Sequence, residues 1–104
     1  SKTHTIAVGP QTHFLRVTLT WAEPGDNFKL TGLRIKSHGR IVAAARPQKV
    51  AKPKKLKVTV AAKSSTFTVL KIAHLRPGTL QFAVKAAKAS GAVKVTTQVG
   101  GETG

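Results

Sequence analysis

The 104-residue chain has no cysteine, methionine or tyrosine, one tryptophan and four phenylalanines, and three acidic residues against 18 lysines and arginines. Without cysteine there is no disulfide framework, no Cys-ligated zinc or iron–sulfur site and no thiol nucleophile. The carboxylates are Glu23, Asp26 and Glu102. Glu102 belongs to the C-terminal stretch, and Glu23 and Asp26 share one turn with Lys29 nearby, where a surface role is expected rather than a general acid–base pair. No run approaches the roughly 18 apolar residues of a membrane span. No secretory signal is visible in these residues, and they contain no G-x-S-x-G or phosphate loop and no Asn-x-Ser/Thr sequence. The four histidines, His4, His13, His38 and His74, are scattered without ligand spacing, so no metal site is expected and their role is added charge at mildly acidic pH. The chain is read as noncatalytic and free of cofactors. Because it opens at Ser1 rather than at methionine, it is expected to be a mature or excised piece.

What the sequence does have is positive charge. The formal net charge is +15, and hydrophobic residues make up 40% of the chain. That apolar content is near the globular norm, so a folded domain is expected despite the charge. The length fits one domain, burying roughly two-thirds of the surface its unfolded chain exposes. A field this positive attracts polyanions and carries a self-repulsion cost, which sets polyanion binding against simple solubility as its purpose.

Period-2 alternation runs through the chain. Residues 14–21 place Leu15, Val17, Leu19 and Trp21 on one side and Arg16, Thr18 and Thr20 on the other. Further strands are expected at 30–36, 41–45, 56–61, 66–70, 80–86 and 92–99, separated by turns at 23–27, 37–40, 63–65, 75–78 and 88–91. The alanine-rich stretch from Phe82 to Ala89 has helical propensity, but its alternation reads as strand. Seven or eight strands at this spacing define an all-β, antiparallel, immunoglobulin-like sandwich without disulfides. Residues 1–99 are expected to form the domain and 100–104 a flexible tail. The candidate core is Leu19, Trp21, Leu33, Ile35, Val58, Val60, Phe67, Phe82, Val84 and Val95.

Three segments together resemble a fibronectin type III domain. Val17-Thr18-Leu19-Thr20-Trp21-Ala22-Glu23-Pro24 is similar to that family's second strand, whose buried tryptophan precedes a Pro-containing turn. Leu30-Thr31-Gly32-Leu33-Arg34-Ile35-Lys36 falls where the third strand would. The stretch from Ser65-Thr66-Phe67-Thr68-Val69 through Leu75-Arg76-Pro77-Gly78-Thr79 to Phe82-Ala83-Val84 resembles the fifth strand, the corner and the sixth strand. The chain departs from the pattern at Leu33 and Gln81, where the family usually has tyrosines, and it has no Arg-Gly-Asp triplet. The spacing Leu75-x-Pro-Gly-Thr-x-x-Phe-x-Val also resembles the sandwich modules appended to secreted bacterial peptidases. Those modules often follow Trp-x-x-Pro with acidic calcium ligands; here Asn27-Phe28-Lys29-Leu30 follows, which is not acidic. The first resemblance implies an adhesion or binding module of a larger protein, extracellular or at the cell surface. The second implies a substrate-targeting accessory module of a secreted bacterial enzyme.

The strongest candidate site runs from Lys49 to Lys57, with lysines at 49, 52, 54, 55 and 57. Pro53-Lys54-Lys55-Leu56-Lys57-Val58 fits the x-B-B-x-B-x pattern, B being basic, associated with heparin binding. Lysines on a loop and along one strand face would set several ammonium groups against a row of sulfates, an attraction that weakens with salt. The alternative is a solvated loop and an edge strand guarded by lysine against aggregation. In the fibronectin-like assignment the third, sixth and seventh strands share a sheet, and Arg34, Lys36, Lys85 and Lys94 form a second basic patch on its outer face. A sulfated glycan or an acidic protein surface is the expected partner. Nonspecific nucleic-acid binding is the other reading; it calls for exposed aromatics to stack on bases, and Phe14 and Phe28 are the candidates.

Overall fold

Alternation along the chain becomes two sheets that bury one face each. The computed structural model describes residues 3–46 and 53–100. Among them the strands are β1 (Thr3–Val8), β2 (Phe14–Trp21), β3 (Asn27–Ser37), β4 (Arg40–Ala44), β5 (Lys54–Lys55), β6 (Lys57–Lys63), β7 (Phe67–Ala73), β8 (Gly78–Lys88) and β9 (Val93–Gly100). One sheet, A, has the order β1-β8-β3-β4-β5; the other, B, has the order β6-β7-β2-β9. All pairings are antiparallel except β4 with the two-residue β5. Among the described residues no helix is long and apolar enough to cross a membrane.

The core lies between the sheets. Sheet B contributes Leu15, Val17, Leu19 and Trp21 from β2 and Ile72 from β7; sheet A contributes Phe28, Leu33, Ile35, Leu80 and Phe82. Each fully buried Leu, Ile, Val or Phe contributes about 1.5–3 kcal/mol of transfer free energy, and without disulfides this is the main favourable term. Trp21 is fixed twice. Its ring packs on Phe28 with centroids 5.3 Å apart, and its Nε1–H donates to the Ser65 carbonyl at 2.9 Å.

Several expectations are corrected. The strand β1 and the short β5 have no counterpart in the expected set. Leu56 is not a strand residue of β6: it is a buried plug where the chain leaves sheet A for sheet B, its N–H donating to the Ala44 carbonyl. Val58 and Val60 point inward in register with Ile72 and Leu70, yet remain 40% and 60% exposed because sheet A does not reach over them. Phe67 pairs with the exposed Thr20 and so faces outward from sheet B, half-buried. Phe28, a candidate for exposure, is core. The last strand pairs with β2, not with β8, which moves it out of the sheet that holds β3.

Asp26 is also not a surface group. It is 6% exposed, and its Oδ1 accepts from the Ser90 N–H at 2.9 Å and Oγ–H at 3.0 Å. It thereby ties the β2–β3 turn to the β8–β9 turn.

Candidate polyanion-binding face

One backbone irregularity decides which cations share a face. In β3, Leu30 and Leu33 both belong to the buried side, although an odd spacing in a regular strand would oppose them. Thr31 pairs with Ala83 and Arg34 with Gln81, so two residues of β3, Gly32 and Leu33, stand against Phe82 alone. This is a β-bulge with glycine at its first position, φ +63°. The bulge resets the alternation. Lys29 and Thr31 before it, and Arg34 and Lys36 after it, all lie on the outward face. Arg34 folds back over the bulge, its Nη1–H donating to the Gly32 carbonyl at 2.9 Å.

Lys29 is directly opposite Lys85 on β8. Directly opposed side chains in an antiparallel pair have Cβ atoms about 4.5–5.5 Å apart, and like charges there are destabilising. Lys36 lies on the same face two residues beyond Arg34, in register with Thr79. The row of Arg34 continues across β4 through Ala44 to Lys55 on β5. The outer face of sheet A therefore carries Lys29, Lys85, Arg34, Lys36 and Lys55. Both described acidic residues are elsewhere, in the β2–β3 turn.

The sequence-derived candidates divide accordingly. Arg34, Lys36 and Lys85 stand on one face, and Lys55 joins them. Lys54 is the other residue of β5, opposite Ala43. Lys49 and Lys52 lie outside the described residues. Lys57 is in sheet B, in register with Ala73 and, beyond it, Phe14, on that sheet's outer face. Lys94 is there too, opposite Thr20. The x-B-B-x-B-x segment is thus split by the buried Leu56 between two sheets, and does not form one strand face. Lys29 is missed by sequence reasoning; the signal for it was Gly32, which breaks the alternation that seemed to separate Lys29 from Arg34.

The outer face of sheet B has its own cations, arranged differently. Arg16 and Lys71 are cross-strand partners. The Arg16 guanidinium carbon is 5.3 Å and Lys71 Nζ 4.7 Å from the centroid of the Phe14 ring. Phe14, the other aromatic considered for base stacking, is thus engaged by these cations and by Gly100 beneath its ring. Among the described residues no group of three His, Cys, Asp or Glu is placed to hold a metal ion. Comparison with protein-family models, with curated proteins and with solved structures returned no match.

Proposed function

We propose that this chain is a noncatalytic binding module of a larger extracellular or cell-surface protein, an immunoglobulin-like sandwich of fibronectin type III character, and that it docks to a sulfated glycan through the outer face of sheet A. The observation that carries this reading is the Lys29–Lys85 pair. Two lysines directly opposed on an exposed sheet face weaken the fold unless an anion lies between them. Arg34, Lys36 and Lys55 extend the same face in two directions, giving a linear polyanion a surface rather than a point. Arg34 offers a planar fork suited to sulfate oxygens, and the lysines offer flexible point charges.

Glycan binding is favoured over single-stranded nucleic acid by the aromatics. Base stacking beside the cations of sheet A needs a free ring there; Phe28 is buried, Phe14 is covered by Arg16, Lys71 and Gly100, and the half-buried Phe67 is on the outer face of sheet B. The test is titration of the labelled protein with a size-defined heparin oligosaccharide, followed by amide chemical shifts. Perturbations concentrated on Lys29, Arg34, Lys36 and Lys85 support the reading. Perturbations spread evenly over both outer faces, or centred on Arg16 and Lys71, overturn it.

A further inference from the structure

Beyond the polyanion face, the two sheets leave one side of the core open among the described residues. Strand β6 is terminal in sheet B, and every residue from Lys57 to Lys63 is exposed. In sheet A, β4 accompanies β3 only along Arg34–Ser37. On that side, Lys29–Gly32 have no strand partner among the described residues. Between these two free edges runs an open groove of about 960 Å³, its apolar floor made by Leu30, Leu33, Ile41, Val58 and Leu70, with Lys29, Arg34 and Lys85 also lining it. Val60, beside Val58 on the same inward face of β6, extends the apolar surface outward at 60% exposure.

An exposed edge with inward-facing valines is a template for another strand, and here Val58 and Val60 lie before the register shift between Val60 and Ala62. A second copy of this chain is a poor occupant, since two molecules of net charge +15 repel each other. An acidic partner meets the opposite field. We propose that β6 receives an extended segment of another protein, alternating apolar and acidic residues, which adds to sheet B as a further strand. Its main chain pairs with β6. Its apolar side chains enter the groove beside Val58 and Val60, and its carboxylates lie toward Lys57 and Lys71 on the outer face. Main-chain pairing supplies affinity and the groove selects alternate side chains. The lysines that keep like molecules off the edge are the same ones that draw this partner in.

The probe is a capped peptide about eight residues long, the length of an ordinary strand, alternating Glu and Val. Its control has the same composition with the valines made contiguous. Binding is read by anisotropy, and pairing by amide hydrogen exchange along Lys57–Lys63. The alternating peptide is expected to slow exchange there and to bind the more tightly of the two. The informative variant is Val60→Lys: it adds a positive charge yet removes the apolar contact at a position too exposed to threaten the fold. It is expected to lose about tenfold in peptide affinity while holding heparin as the parent does. Val99→Lys, at 50% exposure on β9, is expected to leave peptide binding unchanged. Peptide affinity that holds or rises in Val60→Lys means charge alone draws the peptide, and overturns the proposal. So does slow exchange, in the free protein, of those β6 amides that point away from β7, which means the edge is already covered by the chain itself or by a second copy.

Discussion

Phe14 and Gly100 face each other across the β2–β9 ladder, and a Cβ placed on Gly100 would fall on the Phe14 ring. The ring covers the glycine backbone of an edge strand, which a side chain of its own would otherwise protect. Arg16 and Lys71 then hold the ring by cation–π contact. Cations and aromatic in this corner of sheet B serve the fold. On sheet A, by contrast, Lys29 and Lys85 oppose each other, and Arg34 bonds to the Gly32 carbonyl rather than to a ring.

This relationship predicts a coupling. Gly100→Ala forces the ring aside and is expected to cost about 1–3 kcal/mol, the range for overpacking. In a Phe14→Ala background the obstruction is gone, and the same change is expected to cost less than half as much. Denaturant unfolding of the four proteins in a double-mutant cycle measures it. Additive effects would mean that Phe14 does not occupy the space above Gly100.

Lys29 and Lys85 predict a trade between stability and binding. Lys85→Thr removes a directly opposed like charge, and is expected to raise stability by a few tenths of a kcal/mol. It should weaken heparin binding in the same protein. Thermal unfolding at low and high salt reads the first effect, and the gain should shrink as salt screens the repulsion. A variant that loses stability would show that the two ammonium groups do not repel in the folded state.

Asp26 predicts a graded response. Asp26→Ala abandons both Ser90 donors and is expected to cost about 1–3 kcal/mol. Asp26→Asn keeps an acceptor in the position of Oδ1 and should stay within about 1 kcal/mol of the parent. Equal losses in the two variants would point to the carboxylate charge, rather than the tie between turns, as what matters.

Gly32 links backbone to function. Its φ of +63° is one that side-chain-bearing residues rarely adopt, and a Cβ there would lie 3.3 Å from Arg34 Nη1. Gly32→Val is expected to destabilise by about 1–3 kcal/mol through strain, and to reduce heparin affinity by displacing Arg34. Gly32→Asn should do both to a smaller degree, because asparagine tolerates the left-handed region. Circular dichroism melts and heparin retention on the two variants check this. Unchanged retention in a destabilised Gly32→Val protein would separate the bulge from the binding face.

The strands were legible where one face is fully buried. In β2, Leu15, Val17, Leu19 and Trp21 alternate with polar residues, and the expected and observed boundaries agree. Alternation says which residues share a face, but not whether anything covers that face. Val58 and Val60 satisfy the pattern and overhang the edge of their sheet. Strand β1 was illegible because Thr3, Thr5 and Ala7 face outward and its inward residues, His4, Ile6 and Val8, give a weak apolar signal. Pairing partners were not readable either: nothing local in Lys94 or Val95 tells β9 to join β2. The binding face was half legible. Arg34, Lys36 and Lys85 follow from alternation, while Lys29 required the bulge at Gly32 and the division of Lys55 from Lys57 required the burial of Leu56.

The most direct test of the account compares two variants of equal charge. In one, Lys29, Arg34, Lys36 and Lys85 on sheet A are changed to threonine or alanine; in the other, Arg16, Lys57, Lys71 and Lys94 on sheet B are changed in the same way. Affinity for immobilised heparin is measured across a salt series. The account predicts that the sheet A variant loses about tenfold or more at moderate salt and shows a shallower salt dependence, while the sheet B variant stays close to the parent. Equal losses in the two variants would contradict it, because they would make the attraction a property of net charge and not of a face.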